Sequence, residues 1–364
     1  MKARPVRSTA EGDVRVGLIG FGLAGAVFHA PLIAATPGLR LAAVVTSDPG
    51  RSLEARRCYP GVRVFDAPDR LWESAGDLDL VVVASPNRTH VPLALAALGR
   101  GLPVVIDKPL APTAHEGRLL IDEARRRGLL LTVFHNRRWD GDFLTLRRLV
   151  GRGELGRVLR FESRFERWRP DPKPGWRQSG DPEEAGGLLY DLGSHLIDQA
   201  LVLFGPASRV YAELDSPYPG AGVDNDTFVA LTHAGGVRSH LWMSAAAGQA
   251  GPRLRVLGSA SAYVKYGLDV QEEALRGGAR PGSEGWGEEP EGRWGLIGAG
   301  DDVRHLRTEP GCYECFYEGV VASLKEGAPA PVEPEEAVAV LEVIEAARRS
   351  AAEGQAVMLK GRQL

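Results

Sequence analysis

Val14-Arg15-Val16-Gly17-Leu18-Ile19-Gly20-Phe21-Gly22-Leu23-Ala24-Gly25 decides how the first third of the chain folds. Val14–Gly20 is a short apolar strand that runs into a GxGxxG, and a helical pattern continues from about Leu23 to Ala35. Strand, glycine loop and helix in that order make a phosphate cradle. Gly20 permits the tight turn, Gly22 lets the backbone approach a pyrophosphate at the positive end of the helix, and Gly25 allows close helix–strand packing. Gly20, Gly22, Leu23, Ala24 and Gly25 are therefore candidate dinucleotide contacts. The signature is weak alone and gains weight from the units that follow it.

Outward from that loop, apolar runs recur at 41–45, 62–65, 78–84, 104–106 and 129–134, with helix-length segments at 92–101 and 113–128. Thr113 is placed to cap the second of these helices and Gly128 to end it. Apolar strands alternating with helices predict a doubly wound parallel sheet, a Rossmann dinucleotide-binding domain over residues 14–134. The pattern then changes. A helix at 143–150 leads to an alternating run at 158–168, and a helix at 190–204 ends in Gly205-Pro206. Strand-like runs follow at 208–214, 228–232, 237–243, 254–257 and 262–265 with no helix between them. Residues 135–364 are thus expected to form a C-terminal α/β domain with a large, mainly antiparallel open sheet, for substrate binding and oligomerisation. Residues 271–311 read as irregular loops and short hairpins, and helices at 313–325 and 334–353 close the chain.

The bulk properties agree with an ordinary globular protein of two domains. A length of 364 residues exceeds one ordinary core, taking about 150 residues per domain. A net charge of −3 gives no footprint for nucleic acid or a membrane surface. No apolar run approaches a membrane span, and Met1–Asp13 is polar, without the apolar stretch of a secretory signal. Three cysteines cannot build a disulfide framework and suit the cytoplasm. Cys312-x-x-Cys315 opens a late helix far from any thioredoxin-like unit and reads as packing.

The end of the second strand bears on the cofactor. A dinucleotide domain usually shows an acid there, bonding the adenosine 2′-hydroxyl. Here the strand ends in Thr46-Ser47, followed by Asp48-Pro49-Gly50-Arg51. Thr46 and Ser47 carry no charge to repel a 2′-phosphate, and Arg51 offers a cation, which favours NADP. NAD stays open if Asp48 turns inward. Asp48 equally suits a helix N-cap.

Four more segments extend the pattern: Ser85-Pro86-Asn87-Arg88-Thr89-His90, Asp107-Lys108-Pro109, Phe134-His135-Asn136-Arg137-Arg138-Trp139, and Tyr190-Asp191-Leu192-Gly193-Ser194-His195. With the glycine loop and Phe28-His29-Ala30-Pro31, they resemble the glucose–fructose oxidoreductase / inositol dehydrogenase / rhizopine-catabolism (Gfo/Idh/MocA) family over about residues 14–355. Residues 133–140 and 258–269 resemble more narrowly its NADP-dependent scyllo-inositol dehydrogenase branch. The family's Glu-Lys-Pro is here Asp107-Lys108-Pro109, which keeps the lysine and the charge. The resemblance implies that Lys108, Asp191 and His195 are catalytic, and that Asn136 and Arg138 join Asp191 and His195 beside the substrate. It also implies that Ser85, Pro86, Asn87, His90 and Lys108 border the cofactor and that Trp176-Arg177 reaches over it. Arg138 could equally be salt-bridged, His90 a helix cap and Trp176-Arg177 a loop anchor.

The chemistry suits those residue types. Oxidising a secondary alcohol needs a base for the hydroxyl proton while the carbon's hydride leaves. His195, with an ordinary value near 6.5, can be that base, and Asp191 four residues earlier shares its helix face. Lys108 leaves the carboxyl end of a parallel strand, where such sheets hold ligands, and its ammonium can polarise the substrate oxygen. Asp198 lies on the same face, but no second histidine stands at helical spacing, so no metal site is expected. The expected activity is NADP-dependent oxidation of a cyclic polyol or sugar of the scyllo-inositol type, with NAD as the alternative cofactor and a homodimer or homotetramer formed through the open sheet. A glycosidase-like hydrolase holding NAD, or a non-catalytic cofactor-sensing protein of the same fold, are the competing classes.

Overall fold

The computed structural model describes residues 12–171, 175–218 and 222–359; the expected end of the second domain at residue 364 lies outside them. Six strands form the first sheet: β1 (Val14–Ile19), β2 (Leu39–Val45), β3 (Arg63–Phe65), β4 (Leu80–Val83), β5 (Val104–Asp107) and β6 (Leu131–Phe134). Their order is β3-β2-β1-β4-β5-β6 and every pairing is parallel. Helices α1 (Ala30–Ala35), α2 (Pro49–Cys58), α3 (Pro68–Trp72), α4 (His90–Gly99) and α5 (Ala114–Arg127) connect them. All four residues of β4 are wholly buried, as expected for a strand covered on both faces. The chain reverses its direction of travel between β1 and β4, so a crevice opens at their carboxyl ends. The ends of α5 match their sequence signals: the Thr113 side chain accepts from the Glu116 N–H, and Gly128 ends the helix with φ 66°.

After α6 (Gly141–Gly151) comes the second sheet. Its strands are β7 (Val158–Glu166), β8 (Ala207–Asp215), β9 (Asp226–His233), β10 (Arg238–Ser244), β11 (Leu254–Gly258), β12 (Ala262–Lys265), β13 (Gly295–Ala299), β14 (Asp302–Leu306) and β15 (Val357–Met358). They run in the order β14-β13-β12-β11-β7-β10-β9-β8-β15. The sheet is mainly antiparallel, with β7 and β10 paired in parallel. That exception follows from connectivity: α7 (Ser194–Phe204) carries the chain from β7 outward to β8, and the meander β8-β9-β10 returns it beside β7. Thr227, Val229, Leu231 and His233 of β9 face the core. Phe228, Ala230 and Thr232 alternate with them on the open face. Three helices complete this half: α8 (Gln271–Arg276), α9 (Glu314–Glu326) and α10 (Pro334–Glu353).

Three local readings are revised. Residues 271–311 hold an expected hairpin, β13–β14, at one edge of the sheet, with β14 exposed and charged; the departure is the helix α8 at their start. Two helices expected to be regular begin with a wider turn, at Ala24–His29 and at Leu189–Gly193. Cys312 and Cys315 are disulfide-bonded at the entry to α9, not merely packed. Among the described residues no helix is long and apolar enough to cross a membrane.

Candidate active site

The three glycines of the loop have separable duties. Gly20 has φ +101°, and a Cβ there would come within 2.4 Å of the Ala84 carbonyl oxygen. A Cβ on Gly25 would lie 2.0 Å from the Gly20 oxygen, the close helix–strand contact expected. At Gly22 the nearest atom to an added Cβ is Arg51 Nη1 at 3.8 Å. Gly20 and Gly25 are therefore required by packing, whereas the space over Gly22 belongs to something outside the chain. That space is a cleft of about 680 Å³, within the roughly 300–1,000 Å³ typical of small-molecule sites.

Gly20, Gly22, Leu23 and Ala24 form one wall of the cleft. Thr46, Ser47 and Arg51 line the side beyond β2. Asp48 does not turn inward: its carboxylate accepts from the Arg51 N–H at 2.9 Å and caps α2. Ser85, Pro86 and Asn87 follow β4 along the rim. The buried Asn87 amide donates to the carbonyls of Glu184 (3.0 Å) and Ala185 (3.3 Å), which ties the opposing loop to the first domain. That loop brings Trp176 and Arg177 into the lining, with the guanidinium 4.3 Å from the indole centroid.

Where the domains meet, Lys108 and Asp191 close the cleft. The Lys108 ammonium donates to the Asp191 carboxylate (2.8 Å) and to its carbonyl oxygen (2.5 Å), and Arg177 Nε lies 3.6 Å from the same carboxylate. Burial opposes ionisation of Asp191, yet Lys108 and Arg177 hold its pKa well below the usual carboxylate range. His195 is buried beside them on α7, edge-on to the rings of His135 and Phe165 at 6.3 Å each. Its Nδ1 has no hydrogen-bond partner among the described residues. Burial, then the charges of Lys108 and Arg137, push its pKa well below 6.5, which favours the neutral imidazole. Asn136 is buried at the start of a short 3₁₀ helix, Asn136–Trp139, and its amide makes no hydrogen bond among the described residues.

Five expected contacts do not line this cleft: Gly25, His90, Asn136, Arg138 and His195. Arg138 is buried in a two-pronged pair with Asp198 (2.8 and 2.6 Å) and also reaches Glu336 (2.7 Å), so its donors are spent inside the protein. Asp198 is engaged by the same contact. His90 does not line the cleft: its ring nitrogens are 2.8 and 2.9 Å from the carbonyl oxygens of Pro109 and Ser85, so it braces the two loops that carry Lys108 and Ser85. Sequence reading gave no role to several neighbours. Buried His29 bonds Tyr317 (2.6 Å) and stands 3.9 Å from Asp107, whose carboxylate accepts the Lys108 N–H. His29 and His135 both fall inside the quoted motifs, which was their one visible signal.

Similarity to known proteins agrees with this geometry. Residues 14–135 match the oxidoreductase family's NAD-binding Rossmann fold, and residues 147–359 match its C-terminal alpha/beta domain. The chain belongs to the Gfo/Idh/MocA oxidoreductase family. Among the family's members, the uncharacterised oxidoreductase YdgJ of Escherichia coli is 41% identical over 93% of this chain and 96% of its own length. The scyllo-inositol 2-dehydrogenase (NADP(+)) IolW of Bacillus subtilis is 34% identical over 95% and 96%. The solved structure of the Bacillus subtilis oxidoreductase YvaA superposes with a TM-score of 0.90 at 34% identity, covering 98% of this chain and all of that one. A Gfo/Idh/MocA chain with this first sheet carries an NAD(P)-binding Rossmann domain, and the open space at Gly22 fits a bound dinucleotide.

Proposed function

We propose that this oxidoreductase transfers a hydride between NADP and a secondary alcohol of a cyclic polyol or sugar of the scyllo-inositol type, working in the cytoplasm as a homodimer or homotetramer. The observation that carries this reading is the Lys108–Asp191 pair at the cleft's inner end with neutral, buried His195 beside it. When bound, the nicotinamide supplies the hydride acceptor or donor. Lys108, held at a fixed point by Asp191, polarises the substrate oxygen and favours its alkoxide. His195 accepts the hydroxyl proton and returns it in the reverse direction. Asp191 stays ionised and orients the lysine, while Asn136 has a free amide for a substrate hydroxyl. Residues 14–134 hold the dinucleotide and the part from 135 supplies the substrate side.

NADP is preferred to NAD in this reading because Thr46 and Ser47 present hydroxyls, Asp48 is spent on its cap, and Arg51 faces the same space. The NADP-dependence and substrate in IolW's name support the same choice. The experiment is nicotinamide absorbance with NADP and NAD across inositols, pentoses and hexoses, for the wild type and for Lys108→Ala and His195→Ala. Each variant is expected to lose about 10²–10⁴-fold in kcat with little change in cofactor affinity. The two losses should not multiply, since the residues act on one proton and oxygen. A His195→Ala enzyme within about threefold of wild type would move the base to another group.

A further inference from the structure

Strand β7 continues past its last ladder residue. The Arg167 N–H donates to Ser244 (3.0 Å) and the Arg169 N–H to Ala245 (2.8 Å), so the two-residue alternation persists. Phe161, Ser163 and Phe165 occupy the buried face, and Trp168, 61% exposed, points the other way. Arg167 and Arg169 therefore lie on the face of Phe165, the ring that stands edge-on to His195. Arg167 Nε is buried, and neither guanidinium makes an ion pair or side-chain hydrogen bond among the described residues.

The carboxylates within electrostatic reach of Arg167 are Asp191 and Glu272, and both are engaged. Asp191 is held by Lys108 and Arg177; Glu272 is paired with Arg137 and with Arg276. Burial, with Arg169 and Arg177 alongside, depresses the Arg167 pKa, a sign of positive charge without compensation. A buried Nε–H needs an acceptor, and arginine's planar fork suits a carboxylate or phosphate reaching in from the solvent side. We propose that the substrate ring carries such an anionic group, a carboxylate or a phosphate ester, bound by Arg167 with Arg169 while its reacting hydroxyl meets Lys108 and His195. Two residues apart on a strand, the arginines are spaced about 7 Å and can flank a single group. The inference rests on the dehydrogenase reading above and narrows its substrate class.

The test uses the full chain with NADP and three matched sets: myo-inositol and D-glucose, D-glucuronate and D-galacturonate, myo-inositol 1-phosphate and glucose 6-phosphate. The expected result is a kcat/KM for one anionic set about tenfold or more above the neutral set, expressed mainly in KM. It should fall with added salt while the neutral rate does not. Whether the carboxylates or the phosphates win identifies the group. Arg167→Gln should raise KM for the winning set about tenfold with kcat little changed, and Arg167→Lys should recover part of the loss. Arg169→Gln, at an exposed side chain, should act in the same direction should Arg167→Gln fail to fold. Neutral polyols that equal or exceed the anionic sets in the wild type overturn the inference and leave the dehydrogenase reading standing. If NADP binds and no polyol of any set is oxidised, the dehydrogenase reading falls and takes the inference with it.

Discussion

A valine at position 22 would meet little of the protein itself, because the nearest atom to its Cβ is 3.8 Å away, yet it would fill the space kept for the cofactor. Gly22→Val is expected to abolish NADP binding by calorimetry while the melting temperature stays close to wild type. Gly25→Ala should do the reverse damage, since its Cβ would collide with the Gly20 oxygen at 2.0 Å and prise helix from strand. Charge at the second strand is tested by Thr46→Asp, which should turn the kcat/KM preference from NADP toward NAD by repelling a 2′-phosphate. For His195 the pKa shift fixes the direction of the pH profile. The base is active when neutral, so kcat/KM for oxidation falls as pH drops through its pKa, and that acid limb should lie below the ordinary value of about 6.5. The limb should vanish in His195→Ala; a limb at or above that value would contradict a buried base. The glycines were legible in the sequence because their demands are local. Arg138 was not, since its partners Asp198 and Glu336 are 60 and 198 residues away.

Elements repeat the contrast. The cap at Thr113 and the stop at Gly128 were readable because capping chemistry lies within a few residues of each helix end. The wider turns at Ala24–His29 and Leu189–Gly193 left no such mark; each inserts extra backbone into a helix that carries site residues, a placement common for such turns. The loop bearing Trp176 and Arg177 was legible through the family resemblance but not through local pattern, because a side chain from the other domain pins it. Asn87 supplies that pin through the Glu184 and Ala185 carbonyls. Asn87→Ala leaves both oxygens without their donor, at a cost of about 1–3 kcal/mol drawn against the loop's closed position. Titration with NADPH should show affinity lowered about 5- to 100-fold with kcat on saturating substrate much less changed. Unaltered affinity would mean the loop holds its place without Asn87.

At the scale of the molecule, strand and helix succession made the parallel sheet legible, and residues 271–311 supplied the hairpin read there, whereas the sequence could not show that β10 returns beside β7. The same sheet raises the question of what covers its open face. On that face Phe228, His240 and Trp242 pack edge-on or tilted with centroids 5.1–6.0 Å apart, and Arg164 lies 3.9 Å from the Trp242 ring centroid. Beside them Glu162 is clasped by Arg160, Arg164 and Arg255, so its carboxylate is neutralised within the sheet. A broad surface with aromatic centre and internally paired charges suits self-association about a twofold axis. Light scattering of the full chain should give two or four times 39.1 kDa at micromolar concentration. Trp242→Glu places an unpaired carboxylate at the centre of that face and should shift the mass toward 39.1 kDa while circular dichroism stays unchanged. The cleft residues lie on the sheet's other side or in the first domain, so cofactor binding by the dissociated variant should persist. A wild type that remains at 39.1 kDa across this range would show that the face works uncovered.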